Sequence, residues 1–240
     1  MMIHKNIKKL LKEGIIPSTL PEPNGETINE FIENDLKWWK EIGIETDIPE
    51  SRRPLYKFFL NRFYEHTSKN YGSFDKEEYK VAEIAGGPYG GILDCFFEKV
   101  RSRTQIDLLA NHFKELNYKT NYQYEWFTCP AERILKDDNT YDFLIGYNSL
   151  DHGWDIKSAI SECIRVAKSG LINFDVDRHK LNGVSCGEGK VHTYPDRSHY
   201  QIVEKEDIIH YLNKKHEVNG KYWLSHVHNK LYQLEFYWEK

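Results

Sequence analysis

The stretch that most constrains what this chain can fold into runs Val81-Ala82-Glu83-Ile84-Ala85-Gly86-Gly87-Pro88-Tyr89-Gly90-Gly91-Ile92-Leu93. A short apolar run carrying one acid enters a cluster of glycines with a proline, then leaves into Ile92, Leu93, Cys95, Phe96 and Phe97. That order predicts strand, tight loop, helix. Glycine lets the backbone take positive φ and lets a ligand approach the main chain closely. The following helix presents free N–H groups and a partial positive charge at its start. In a doubly wound sheet such a loop lies at the carboxyl end of a strand near the topological switch, where nucleotide-like ligands bind. A glycine cluster can equally be a plain turn, so the rest of the chain has to decide.

From position 81 onward, short apolar strands alternate with amphipathic helices, which argues for a parallel α/β sheet. Thr104–Leu109 is the candidate second strand, and its acid Asp107 lies 24 positions after Glu83 (107 − 83). That is close to the roughly 20-residue offset between a glycine loop and a ribose-binding acid. Tyr122–Thr128 reads as a third strand, and Tyr141–Tyr147, continuously apolar at its centre, as a buried fourth. Ile156 to Val166 keeps helical spacing up to a stop at Lys168-Ser169-Gly170, before a fifth strand, Leu171–Val176. Arg178–Tyr200 is polar and aperiodic, as functional or mobile loops are. A helix at Glu206–Lys215 precedes Tyr222–Val227 and Leu231–Trp238, which alternate about Asn229 like an antiparallel closing hairpin.

Before the glycine loop the chain reads as helical. Ile3, Ile7, Leu10 and Leu11 sit at helical spacing among lysines, and Pro17, Pro21, Pro23 and Asn24-Gly25 make a linker. Thr27 resembles an N-cap for Ile28–Ile42, and Pro54–Asn70 is a further helix. Trp38-Trp39 either meets substrate or packs the helix. The expected division is a helical segment over 1–79, capping the substrate side, and an α/β domain over 80–240.

The 240 residues carry a net charge of −4, and no basic stripe is visible, so nucleic acid is not an expected partner. Cys95, Cys129, Cys163 and Cys186 are widely spaced, which suggests neither a zinc knuckle nor a disulfide framework. The start lacks a signal-peptide core, and no apolar run is long enough to span a bilayer. A cytoplasmic setting is expected. Oligomeric state is not legible.

These motifs together resemble the S-adenosylmethionine-dependent methyltransferases with a Rossmann-like fold (class I). Glu83-Ile84-Ala85-Gly86-Gly87-Pro88-Tyr89-Gly90 is similar to the family's acid-x-Gly-x-Gly-x-Gly loop, and Asp107 to its ribose-binding acid. Ala131-Glu132 follows strand three where members contact the adenine. Tyr141 to Ile145, then Asn148-Ser149-Leu150-Asp151-His152 and the helix to Gly170, resemble the strand-four loop and its helix. That last run does not belong to a nicotinamide dehydrogenase. Ala85 and Tyr89 depart from the pattern, standing where the family has glycine.

The resemblance implies a seven-stranded, mostly parallel Rossmann-like sheet with an antiparallel last strand, helices on both faces and an N-terminal helical extension. It implies S-adenosyl-L-methionine as cofactor. Glu83, Ala85, Gly86, Gly87 and Tyr89 would hold its methionine end, and Asp107 its ribose. Leu108, Ala131 and Glu132 would surround the adenine, with Asn148, Ser149 and Leu150 beneath the reacting centre. A hydroxyl acceptor needs a base, for which histidine has a suitable pKa. His152 is nearest in sequence, as base or as pocket wall, with His192 and His199 as alternatives and His179 less favoured. No metal is expected. The anticipated acceptor is a small polar molecule such as a sugar or nucleotide-sugar, O-methylated. The alternatives are N- or O-methylation of a natural-product small molecule, or a non-catalytic cofactor-binding subunit.

Overall fold

The computed structural model describes residues 5–19, 27–43, 49–116, 120–181, 202–228 and 231–240. The N-terminal helices are α1 (Lys5–Lys12), α2 (Ile28–Trp38), continued by a π-turn at Trp39–Gly43, and α3 (Pro49–Thr67). Thr27 caps α2 as its sequence suggests. Its hydroxyl accepts the Glu30 N–H, while its own N–H donates to the Glu30 carboxylate, so two otherwise unpaired donors are satisfied reciprocally. Helix α3 begins five residues before Pro54, which therefore lies inside the helix rather than at its start.

The sheet contains β1 (Lys80–Ile84), β2 (Ser102–Asp107), β3 (Glu125–Thr128), β4 (Tyr141–Tyr147), β5 (Ala167–Val176), β6 (Asn219–His228) and β7 (Leu231–Glu239). Their spatial order is β3-β2-β1-β4-β5-β7-β6. All neighbouring pairs up to β5 are parallel, and β7 runs antiparallel to both β5 and β6. The crossovers carry α4 (Gly91–Phe96), α5 (Ala110–Leu116), α6 (Ile156–Val166) and α7 (Lys205–Leu212). This is the expected Rossmann-like sheet, with the order reversing between β1 and β4.

Alternation along the strands sorts side chains to two faces. One buries Ala82, Leu144, Ile172, Phe236 and Trp238 against Ile160 and Ile164 of α6 and Ile208 of α7. The other buries Val81, Phe143, Leu171 and Tyr237 against Leu93 of α4 and Phe59 and Phe63 of α3. A third cluster joins Ile7 and Leu10 of α1 and Ile28, Ile32 and Leu36 of α2 to Leu109 and to Phe113 of α5.

One boundary differs from the sequence reading. Lys168-Ser169-Gly170 looks like a helix stop, but β5 already begins at Ala167. Ser169 and Gly170 pair with Phe143 and Leu144 on one side and with Glu239 and Trp238 on the other. The glycine is there for packing: a Cβ on Gly170 would overlap the Trp238 ring. Likewise, β3 starts only at Glu125, because the chain before it is tied to α4. Buried Asp94 accepts hydrogen bonds from the N–H groups of Asn121 and Tyr122 and from the Tyr124 hydroxyl.

Candidate cofactor and acceptor site

The loop between β1 and α4 turns on left-handed residues: Ala85 (φ 52°), Gly87 (71°), Gly90 (78°) and Gly91 (53°). Tyr89 is not among them, so its place in a glycine-rich pattern demands no unusual backbone. Ala85 does carry that demand, held by its N–H to the Ile106 carbonyl at 2.8 Å. Glu83 lies under the loop. Its two oxygens accept the N–H groups of Ile92 and Leu93, both at 3.0 Å, and a third bond comes from Gln105 at 3.3 Å. Burial pushes this carboxyl up to about 7, although the three donors pull it down. Glu83 thus anchors the start of α4. A Cβ on Gly91 would overlap its carboxylate, and one on Gly86 would come within 2.7 Å of Glu83 Cδ and Gln105 Oε1. The glycines are needed so that backbone and acid can approach each other.

One strand away, Asp107 ends β2 at the same edge of the sheet. Its Oδ1 accepts the Leu109 N–H at 2.7 Å, and burial raises its carboxyl to about 6 against that bond. A second acid faces it. Asp35 of α2 is raised to about 7, first by burial and then by the charge of Asp107. One helical turn further on, Trp39 reaches the glycine loop: a Cβ on Gly87 would lie 2.9 Å from Trp39 Cη2. The Trp39 ring also meets Phe113 edge-on at 5.6 Å, and Leu108 packs into the same cluster. Sequence reasoning missed Asp35. Its signal was the four-residue spacing to Trp39, which puts both on one helical face.

The remaining expected cofactor residues gather where β3 and β4 end. Ala131 is half-buried against the core. Glu132 Oε1 accepts the N–H groups of Trp154 at 2.7 Å and Asp155 at 3.3 Å, which orients the turn before α6; burial raises this acid to about 7. Asn148 is left-handed (φ 49°), and its N–H donates to Asn173 Oδ1 at 2.6 Å. Ser149 donates to the Ile84 carbonyl at 3.3 Å, joining the β4 loop to the end of β1. Leu150 is buried in the core, and His152 is half-buried in the 3-10 turn Leu150–His152. His192 and His199 lie outside the described residues, as do Tyr194, Arg197 and Tyr200. Tyr64 of α3 is 56% exposed, and Tyr71 packs on Phe96 and Phe97, at the far end of α4 from the glycine loop.

The polar residues nearest Asn148 form a row that the sequence did not announce. Register places Tyr147 beside Asn173, and Asn173 beside Glu235. Glu235, 1% exposed, accepts from Arg62 of α3, with Nε and Nη2 each 3.1 Å from Oε2. Burial raises it to about 7 even with Arg62 opposing. Asp175, next along β5 on the same face, accepts from Arg178 at 3.0 Å. Tyr147 meets Tyr56 and Phe59 of α3 edge-on, each at 5.3 Å. Burial raises its phenol, Arg52 works against this, and Asp175 and Glu235 add to it. Asn173 is fully buried, and its Nδ2 has no hydrogen-bond partner among the described residues.

Among the described residues one acidic group, Asp177, Glu204 and Glu206, brings three oxygens within 4.8 Å of one another. Lys180 already bridges Asp177 at 2.9 Å and Glu204 at 3.1 Å, and Lys205 pairs with Glu206 at 3.2 Å. The two lysines offset part of the charge of the three acids.

No family model and no curated protein matches this sequence. Solved structures match its shape. The PH0226 protein of Pyrococcus horikoshii shares 18% identity over 85% of this chain and 99% of its own, with a TM-score of 0.57. The 1,6-didemethyltoxoflavin-N1-methyltransferase of Burkholderia thailandensis, solved with its acceptor and S-adenosylhomocysteine, shares 13% identity over 93% of both chains, with a TM-score of 0.55. The chain has the Rossmann-like methyltransferase fold.

Proposed function

We propose that this chain is an S-adenosylmethionine-dependent methyltransferase acting on a small, polar acceptor. The observation that carries this reading is the pairing of two features at one sheet edge. A left-handed glycine loop has its helix start anchored by Glu83, and the half-buried acid Asp107 stands one strand away. The loop leaves no room for side chains at Gly86 and Gly91, which suits a backbone cradle for an amino-acid moiety. Asp107 offers two acceptor oxygens to a ribose diol, and Leu108, Ala131 and Glu132 border the adenine side. Bound there, the cofactor supplies a methyl group already activated on a sulfonium, so the protein mainly binds, orients and excludes water.

For the acceptor, the row Tyr147, Asn173, Glu235 beneath α3 is the proposed floor. An orphaned buried amide donor costs about 1–3 kcal/mol, which an acceptor oxygen at Asn173 Nδ2 would remove. Arg62 is matched by Glu235 and Arg178 by Asp175, so the described lining offers little surplus positive charge for a diphosphate. A neutral sugar or other hydroxylated molecule therefore fits better than a nucleotide-sugar, with O-methylation as the reaction. His152, or Glu235 within this row, would hold the departing proton. The N1-methyltransferase of similar shape favours the second reading, methylation of a ring nitrogen in a small molecule.

Calorimetric titration of S-adenosylmethionine and S-adenosylhomocysteine into the purified protein and an Asp107→Ala variant tests this. Micromolar binding, about −8 kcal/mol, that is lost in the variant is expected. Absence of binding at millimolar ligand would sink the reading. Binding without S-adenosylhomocysteine release over a broad panel of hydroxylated and heterocyclic acceptors would favour a non-catalytic subunit instead.

A further inference from the structure

Helix α2 belongs to the segment that precedes the sheet, yet two of its residues face the cofactor loop from outside. The charge of Asp107 of β2 reaches Asp35, and the Trp39 ring lies against Gly87. We propose that α2 is the outer wall of the cofactor site, with Asp35 a second carboxylate for the ribose hydroxyls and Trp39 a cover over the glycine loop. This rests on the cofactor reading above.

Three observations support a wall rather than an incidental contact. First, α2 is firmly docked: Ile28, Ile32 and Leu36 are at most 1% exposed, and they pack against Leu109 and Phe113, which follow Asp107 directly in the chain. Second, Asp35 stands where the charge of Asp107 raises its proton affinity, and two half-buried carboxylates side by side are unfavourable unless something between them donates hydrogen bonds to both. A vicinal diol carries two hydroxyl donors at suitable spacing. Third, the Trp39 ring is held in place by Phe113, so its position over Gly87 is built in. A flat apolar ring there excludes water from the loop, and the left-handed glycine beneath it lets the ring approach.

The test uses the whole chain and S-adenosylhomocysteine as the probe, with Asp35→Asn, Trp39→Ala and Trp39→Phe variants. Calorimetry should show affinity reduced roughly ten-fold or more in Asp35→Asn and in Trp39→Ala, with Trp39→Phe close to the parent. Near pH 6.5, Asp35 carries a proton part of the time, and the charged group facing it is Asp107. Hydrogen bonds from the ribose favour the ionised form, so binding should release protons, read from titrations in buffers of different ionisation enthalpy. That release should shrink in Asp35→Asn, a change that mere loss of folding stability would not produce. Unchanged affinity and proton release in Asp35→Asn, or tighter binding in Trp39→Ala, would overturn the inference; the latter would mean that the ring obstructs the site. If the parent protein binds no S-adenosylhomocysteine, the cofactor reading itself fails. If it binds and only Asp107→Ala matters, the wall alone is wrong.

Discussion

Ala85 shows how a single residue can carry the strain of a tight loop. It is left-handed at φ 52°, where an L-residue costs about 1–2 kcal/mol. Glycine would remove that strain, at about 0.4–1 kcal/mol of extra freedom in the unfolded chain. The strain outweighs that freedom, so Ala85→Gly should stabilise the protein by about 0.5–1 kcal/mol. In a chain of this size that is a rise of roughly 1–4 °C in melting temperature. A melt showing no gain, or a loss, would mean that the Ala85 methyl makes packing contacts worth more than the strain. The sequence marked Ala85 and Tyr89 as the two departures from a glycine pattern, but it could not say which of them meets the left-handed demand. That depends on where the turn falls, and Gly90 and Gly91 absorb it beside Tyr89. The same limit applied to Glu83. Its position before the loop was legible, whereas its grip on the Ile92 and Leu93 N–H groups is a matter of tertiary placement.

At the level of elements, the alternation of strands with crossover helices followed from apolar periodicity, but the seating of α3 did not. Its sequence shows a diffuse aromatic helix with no clean stripe. The reason is that it docks on a partly polar stretch of sheet, where polar partners replace apolar ones. Arg62 reaches buried Glu235, His66 stacks on Trp223 at 4.7 Å, and Lys69 reaches the Tyr237 hydroxyl at 3.0 Å. Arg62→Ala should therefore act through Glu235. Above about pH 7 the carboxylate is ionised and would be left buried without its partner, a loss of about 3–5 kcal/mol. Below that pH, Glu235 can take a proton and the loss should shrink. Denaturant melts of Arg62→Ala and the parent at pH 5.5 and 8.5 measure both sides. An equal difference at the two pH values would show that α3 is held by its apolar face, through Phe59 and Phe63, and that the ion pair is incidental.

Across the whole molecule, the carboxyls with raised proton affinity form a pattern of their own. Asp35 and Asp107 meet at the end of β2, Glu83 and Glu132 hold the turns on either side, and Glu235 lies beneath α3. Each rises chiefly because it is buried, to about 6 or 7 from an ordinary value near 4. A carboxyl raised on folding binds its proton more tightly in the native state. Its contribution to stability is fully present below the unfolded pKa and is lost as pH rises through the folded one. These five acids should therefore make the ligand-free protein lose stability between about pH 4 and pH 7. Acids shifted down, such as Asp142 with Lys168 and Asp177 with the Lys205 N–H and Lys180, act in the opposite sense and lose their contribution only as pH falls below the ordinary carboxylate range. The two groups together predict a stability maximum near pH 4 for the ligand-free chain, lower than is usual for a protein whose acids are mostly paired. Cofactor should reverse the slope where its ribose donates to Asp35 and Asp107, because those acids would then be stabilised as carboxylates. Melting temperatures from pH 4.5 to 8.5, with and without S-adenosylhomocysteine, resolve this. The ligand-free curve should fall from pH 4.5 to about pH 7 and level off above it, and the ligand-induced rise should grow with pH over the same interval. A ligand-free curve that climbs to pH 7, or a ligand effect indifferent to pH, would mean that these acids are already compensated by water or by residues outside the described set, and that their clustering at one edge of the sheet carries no function.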